Sequence, residues 1–217
     1  MRSRRSPDHL IGPKYMLIIE RSAYSPQALL SSHISSVSSV LSEIDLEVVQ
    51  RVVQILREAR DKRATVYIAG NGGSASTASH WANDLGKATK RSGRLPFRVM
   101  SLSDNTSWFS ALGNDEGYDQ VFAGQLENFA NPGDVLICIS ASGNSPNLVR
   151  AVEVASRRNM TTVALLGFDG GELRSLVDEP VLIQTPKGMY ELVEDAHSII
   201  AHAITRCLVS DYPEAGE

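Results

Sequence analysis

Gly70-Asn71-Gly72-Gly73-Ser74-Ala75 is the stretch that most limits what this chain can fold into. It follows Thr65-Val66-Tyr67-Ile68, a short run whose β-branched and aromatic residues suit a buried parallel strand. It precedes a helix-like segment that carries His80 and Asp84. Three glycines let the backbone turn tightly and approach a ligand closely, and Ser74 stands where a helix N-cap belongs. The N–H groups of a helix N-terminus attract an anion, so a phosphate is the first expectation for this turn.

The same alternation recurs downstream. Strands are expected at Thr65–Ala69, Phe97–Leu102, Asp134–Ser140, Thr161–Leu166 and Val181–Gln184, with helical segments between them and a long one after the last. That rhythm predicts a parallel five-stranded sheet covered by helices on both faces, a three-layer α/β/α sandwich. Ahead of it, Ser25 caps a helix with Pro26 at its first position and a stripe of Leu30, Ile34, Val37, Leu41 and Ile44. His33 borders that stripe and reads as helix packing. Asp45 caps a second helix through Val48, Val49, Val52, Ile55, Leu56 and Ala59. Residues 23–62 therefore read as a helical arm whose stripe needs a partner, with another subunit a fair candidate. Residues 1–22 read as a flexible leader and 63–217 as the α/β domain.

A net charge of −4 and a pI near 5.8 argue against a general nucleic-acid binder. Cys138 and Cys207 each lie among apolar residues and read as reduced core cysteines, and no apolar run approaches the ~20 residues of a membrane span. A cytoplasmic protein is the expectation.

Ligands of such sheets bind outside the carboxyl ends of the strands. There the chain places Asn71-Gly72-Gly73-Ser74, Ser101-Leu102-Ser103-Asp104-Asn105 with Gly113-Asn114-Asp115 a little beyond, Ser140-Ala141-Ser142-Gly143-Asn144-Ser145, and Gly167-Phe168-Asp169-Gly170-Gly171. The first three supply hydroxyls, amides and backbone N–H groups but neither Lys nor Arg, which suits a polyhydroxylated ligand with one phosphate.

Two helices carry residues able to do chemistry. His80 and Asp84, four apart, point together to the side opposite Trp81 and Leu85. In the last helix Leu192, Ala196, Ile199, Ala203 and Cys207 read as the core stripe, leaving Glu194, Ser198 and His202 on the other side; His197 lies near the apolar border. Glu194 and His202 are separated by roughly 12 Å along a regular helix, so sharing one ligand would require a third element between them. His80, Asp84, Glu194 and His202 suit either a zinc site or a metal-free acid and base. A carboxylate and a histidine are the pair an aldose–ketose interconversion through an enediol uses.

These motifs, with Glu194 to His202 in the last helix, resemble the sugar isomerase (SIS) domain, and within it the phosphoheptose isomerase family, which converts sedoheptulose 7-phosphate to D-glycero-D-manno-heptose 7-phosphate. The resemblance runs from about residue 25 to the C-terminus. It implies a flavodoxin-like subunit in a homotetramer with active sites between subunits. It matches the family's sugar-phosphate contacts to Asn71, Gly72, Gly73, Asn114, Asp115, Ser140, Ala141, Ser142 and Ser145, with Ser74 alongside them. It matches zinc positions to His80, Asp84, Glu194 and His202, and base and acid to Asp84 and His202. The family usually has Glu at Asp84, Gln at Glu194 and Thr at Ala141. The alternative within the same domain class is a non-catalytic module that binds a sugar phosphate or a protein such as the replication initiator DnaA.

Overall fold

The structure, a computed structural model, describes residues 25–90 and 94–211; the expected leader lies outside them. Five strands form one parallel sheet in the order β2-β1-β3-β4-β5: β1 Thr65–Gly70, β2 Arg98–Ser101, β3 Val135–Ser140, β4 Thr161–Gly167 and β5 Glu179–Ile183. This is the flavodoxin-like order, with its switch point between β1 and β3, where Ile68 pairs with Ile137. All five expected strands are present, displaced at their ends by one or two residues.

Helices cover both faces. α1 is Pro26–Ser42, α2 Leu46–Asp61, α3 Gly73–Asn83, α4 Thr106–Asp115, α5 Ala123–Phe129, α6 Pro146–Arg157, α7 Leu173–Leu176 and α8 Tyr190–Ser210. Side chains alternate along each strand, so Val66 and Ile68 join one core while Tyr67 and Ala69 join the other. The first core holds Val52 and Leu56 of α2, Trp81 of α3, and Ala196, Ile200 and Ile204 of α8. The second holds Leu126 of α5 and Leu148, Ala151 and Val152 of α6.

α1 and α2 begin as the caps predict. The Ser25 hydroxyl accepts from the Ala28 N–H at 3.1 Å with Pro26 in the first turn, and the Asp45 carboxylate accepts from Glu47 and Val48. α2 packs into the sheet's own core, whereas α1 buries none of its residues and leaves Leu30 66% and Ile34 68% exposed. His33 does more than pack: its Nε2 lies 2.7 Å from Asp195 Oδ2 of α8.

α8 corrects the expected stripe. Its buried side is Leu192, Val193, Ala196, His197, Ile200, Ala201, Ile204, Thr205 and Leu208, while Ile199, Ala203 and Cys207 are exposed. The helix is apolar over more than half its circumference, and a 3.6-residue period fits two overlapping stripes; contact with the sheet selects one. Cys207 is thus a surface thiol, and only Cys138 belongs to the core.

Candidate active site

The glycine-rich turn hands the chain from β1 to α3. Gly72 takes φ +55°, where a side chain would be strained, and serves as the N-cap in place of the expected Ser74. Ser74 lies inside the first turn, nearly buried, because the helix starts as soon as Gly72 has reversed the backbone. A Cβ on Gly73 would come within 2.7 Å of three atoms of the Glu194 carboxylate, so glycine there admits α8 to the N-terminus of α3.

α3 and α8 then run side by side. Gly73 faces Glu194, Thr77 Oγ1 lies 3.5 Å from Ser198 Oγ, and His80 Nε2 lies 3.4 Å from His202 Nε2. Two separate cavities lie along this pairing, one at the strand ends and one further down the two helices.

The upper cavity is lined by Asn71, Ser74, Ile139, Ser140, Ala141, Ser142, Ser145, Tyr190 and Glu194. The N-terminus of α3 and that of α6, where Ser145 is the N-cap and Pro146 follows, both lack a side-chain cap. Uncapped first-turn N–H groups and the positive helix ends are donors for an anion. The Ser140 hydroxyl oxygen accepts from the Gly143 N–H at 3.0 Å and Ser142 from the Asn144 N–H at 3.3 Å, so each hydroxyl keeps its own proton for a ligand. The cradle has donors on several sides, no Lys or Arg, and one carboxylate.

The lower cavity is lined by His80, Trp81, Asp84, Ser198 and His202, with Ser76, Thr77 and Ala201. Asp84 Oδ2 lies 3.5 Å from Nε2 of both His80 and His202, so three donor atoms form a nearly equilateral triangle. A tetrahedral zinc ion with ligands at roughly 2.0–2.1 Å needs its donors about 3.3–3.4 Å apart, and two imidazoles with a carboxylate are a suitable donor set with a fourth position open. These three residues therefore fit a divalent cation. The fourth expected ligand, Glu194, stands in the upper cavity and outside this group, as the long reach along α8 foretold. Asp84 also opens a π-helical turn, Asp84–Ala88, at the end of α3; such turns re-aim side chains, and here the shorter Asp meets both imidazoles.

Asn114 and Asp115 sit on the exposed last turn of α4, where Asn114 Nδ2 donates to Asp115 Oδ1, and line neither cavity. Three residues at the site go beyond the sequence reading. Tyr190 lines the cradle, and Asn147 and Tyr118 hydrogen-bond to Asn71. Asn147 was detectable: it lies four residues before Ala151 on the buried face of α6, an amide in an apolar stripe.

His197 lies behind the site, fully buried, with neither ring nitrogen hydrogen-bonded. Burial pushes its imidazole down to about 4, and the nearby Leu166 backbone offsets part of that shift. The unfolded chain takes up this proton near pH 6.5, the folded chain only near 4. Its titration therefore costs no stability above pH 6.5, and stability falls as pH drops from 6.5 to 4, by about 3 kcal/mol at the lower end. Urea melts of the wild type and His197→Leu at pH 7 and pH 4.5 check this: the wild type should lose distinctly more. Equal losses would refute it.

The SIS domain family model matches residues 32–167, so this doubly wound fold with its serine-lined cradle is that of a SIS-domain protein. The phosphoheptose isomerase of Alteromonas mediterranea is 36% identical over 168 residues, 77% of this chain and 84% of that protein. That of Helicobacter pylori is 38% identical over 162 residues, 75% and 83% of the two chains. The solved phosphoheptose isomerase of Neisseria gonorrhoeae superposes with a TM-score of 0.77 at 30% identity, covering 86% of this chain and all of that one. The Vibrio vulnificus NanR protein, solved with ManNAc-6P, has a TM-score of 0.65 at 16% identity over 93% of this chain and 68% of its own, a likeness of fold alone. The chain belongs to the phosphoheptose isomerase family.

Proposed function

We propose that this protein isomerises sedoheptulose 7-phosphate to D-glycero-D-manno-heptose 7-phosphate. The observation that carries the reading is the spacing of the two cavities. The cradle at Glu194 and the reacting cluster at His202 lie eight residues apart on one helix, roughly 12 Å. An extended ketoheptose phosphate places phosphorus seven bonds from its carbonyl carbon, roughly 9 Å at standard bond lengths. The phosphate then sits on the helix N-termini and serine hydroxyls while C1 and C2 reach the histidines.

In this reading Asp84 removes a proton from C1 while His202 donates one to the carbonyl oxygen on C2, giving the enediol. Asp84 returns its proton to C2, and His202 takes the proton from the C1 hydroxyl, leaving an aldehyde at C1. The steps are redox-neutral and restore both side chains. His80 supports the pair from one helical turn before Asp84. In place of this metal-free acid and base, Zn2+ held by His80, Asp84 and His202 would supply Lewis-acid polarisation of the substrate oxygens.

The exposed Leu30 and Ile34 of α1 and Ile199 of α8 favour burial between copies of the chain, as in a homotetramer. In that assembly Asn114 and Asp115 act on a neighbour's site, which accounts for their lining neither cavity of their own chain. Two free cysteines suit a reducing compartment such as the cytoplasm, and among the described residues no helix is long and apolar enough to cross a membrane.

Incubating the purified chain with sedoheptulose 7-phosphate, with and without zinc, should yield the aldose. Binding without conversion at any pH from 6 to 9 would replace this reading with that of a non-catalytic sugar-phosphate module.

A further inference from the structure

We propose that Asn147 and Tyr118 are positioning residues that saturate the oxygen of the Asn71 amide, so that Asn71 offers the ligand one N–H donor and no acceptor. The proposal rests on the reading that the upper cavity seats a sugar phosphate. Asn71 Nδ2 donates to Asn147 Oδ1 at 2.9 Å, and Asn147 Nδ2 donates back to Asn71 Oδ1 at 2.9 Å. The Tyr118 hydroxyl donates to the same Asn71 Oδ1 at 3.0 Å. An amide oxygen has two acceptor sites and an amide nitrogen two hydrogens. Both oxygen sites are taken and one hydrogen is used. What remains on a side chain that lines the cavity is a single N–H.

The partners are themselves held. Asn147 is 1% exposed and fixed in the first turn of α6, directly after Ser145-Pro146. Tyr118 is exposed, but its ring stands edge-on to Phe109 at 5.8 Å, and Phe109 stands edge-on to the fully buried Phe122 at 5.6 Å. This aromatic chain sets where the hydroxyl reaches. An unheld asparagine could turn either end of its amide to the ligand, and its oxygen would repel a phosphate. Locked, Asn71 adds one more donor to a cradle already built from helix N–H groups and serine hydroxyls. With Glu194 the one carboxylate in its lining, such a cradle favours a ligand end rich in acceptor oxygens.

The test measures the dissociation constant of sedoheptulose 7-phosphate by calorimetry, together with kcat and KM, on the full chain. Tyr118→Phe keeps the ring and removes one hydrogen bond; Kd and KM should rise about fivefold with kcat within twofold of wild type. Asn147→Asp keeps shape and acceptor but sets a carboxylate oxygen, which cannot donate, against Asn71 Oδ1, so the pair no longer holds the amide; Kd should rise at least about thirtyfold, and wild-type affinity here also overturns the proposal. Asn71→Asp removes the last donor and should weaken binding further still. Should Asn147→Asp fail to fold, Tyr118→Phe decides alone, since its change lies on an exposed residue. Wild-type affinity in Tyr118→Phe or in Asn71→Asp overturns the proposal. A wild type that binds without turnover fails the isomerase reading yet leaves the affinity comparison valid; one that does not bind at all takes both down.

Discussion

Asp84→Asn is expected to lower kcat for the isomerisation about a thousandfold while leaving substrate affinity within about threefold. Asparagine has the same shape and hydrogen-bonding reach but no basicity, so it removes the step that lifts the proton from C1. Affinity should survive because the phosphate cradle is a separate cavity, roughly two helical turns away. Asp84→Glu is the sharper companion, since the family usually has Glu at this position. Here Asp84 already stands 3.5 Å from both imidazoles, and the π turn beginning at Asp84 delivers it there. An added methylene has to push one histidine aside, and a misplacement of this size costs tens of fold in rate. Asp84→Glu should therefore fall below wild type. Steady-state kinetics on both variants decide the matter: Asp84→Asn keeping more than a tenth of wild-type turnover would place the base elsewhere.

Much of this arrangement was legible in the chain, and the gaps have physical causes. Alternating apolar runs and helical segments gave all five strands, because a strand buried on both faces leaves a continuous apolar signature. That His80 and Asp84 face away from Trp81 follows from helical spacing, and the structure indeed buries Trp81 while leaving His80 exposed and Asp84 half-buried. Local spacing does not contain the register of α3 against α8. In the observed register Thr77 meets Ser198, His202 meets His80, and Glu194 lies beside Gly73. The observed α8 stripe differs from the expected one for a related reason: a helix apolar on its core face and on a second, exposed face has no single best period. The Asn71–Asn147–Tyr118 network joins residues 76 and 47 positions apart. No local pattern encodes such a pair, although an amide in the buried stripe of α6 marks one end of it.

Gly143→Ala should destabilise the protein by about 3 kcal/mol or more and weaken sugar-phosphate binding with it. Gly143 has φ +64°, a left-handed conformation that costs an L-residue roughly 1–2 kcal/mol. The steric problem is larger. A Cβ there would lie 1.9 Å from the Gly170 carbonyl oxygen, and that oxygen is backbone, with no rotamer through which to escape. The loops after β3 and β4 would have to part, and overpacking of this kind typically adds 1–3 kcal/mol. Parting them breaks the hydrogen bonds that join the loops: Leu173 N–H to the Gly143 carbonyl at 3.0 Å and Glu172 N–H to Asn144 Oδ1 at 2.9 Å. The Gly143 N–H would also leave the Ser140 hydroxyl, freeing that side chain to rotate away from the cradle. Stability and binding should thus fall together, whereas Asp84→Asn separates binding from turnover. Urea unfolding and calorimetry on the same Gly143→Ala preparation test this coupling. A stability loss below about 1 kcal/mol, or an unchanged phosphate affinity in a destabilised protein, would show that the two loops do not brace the cradle.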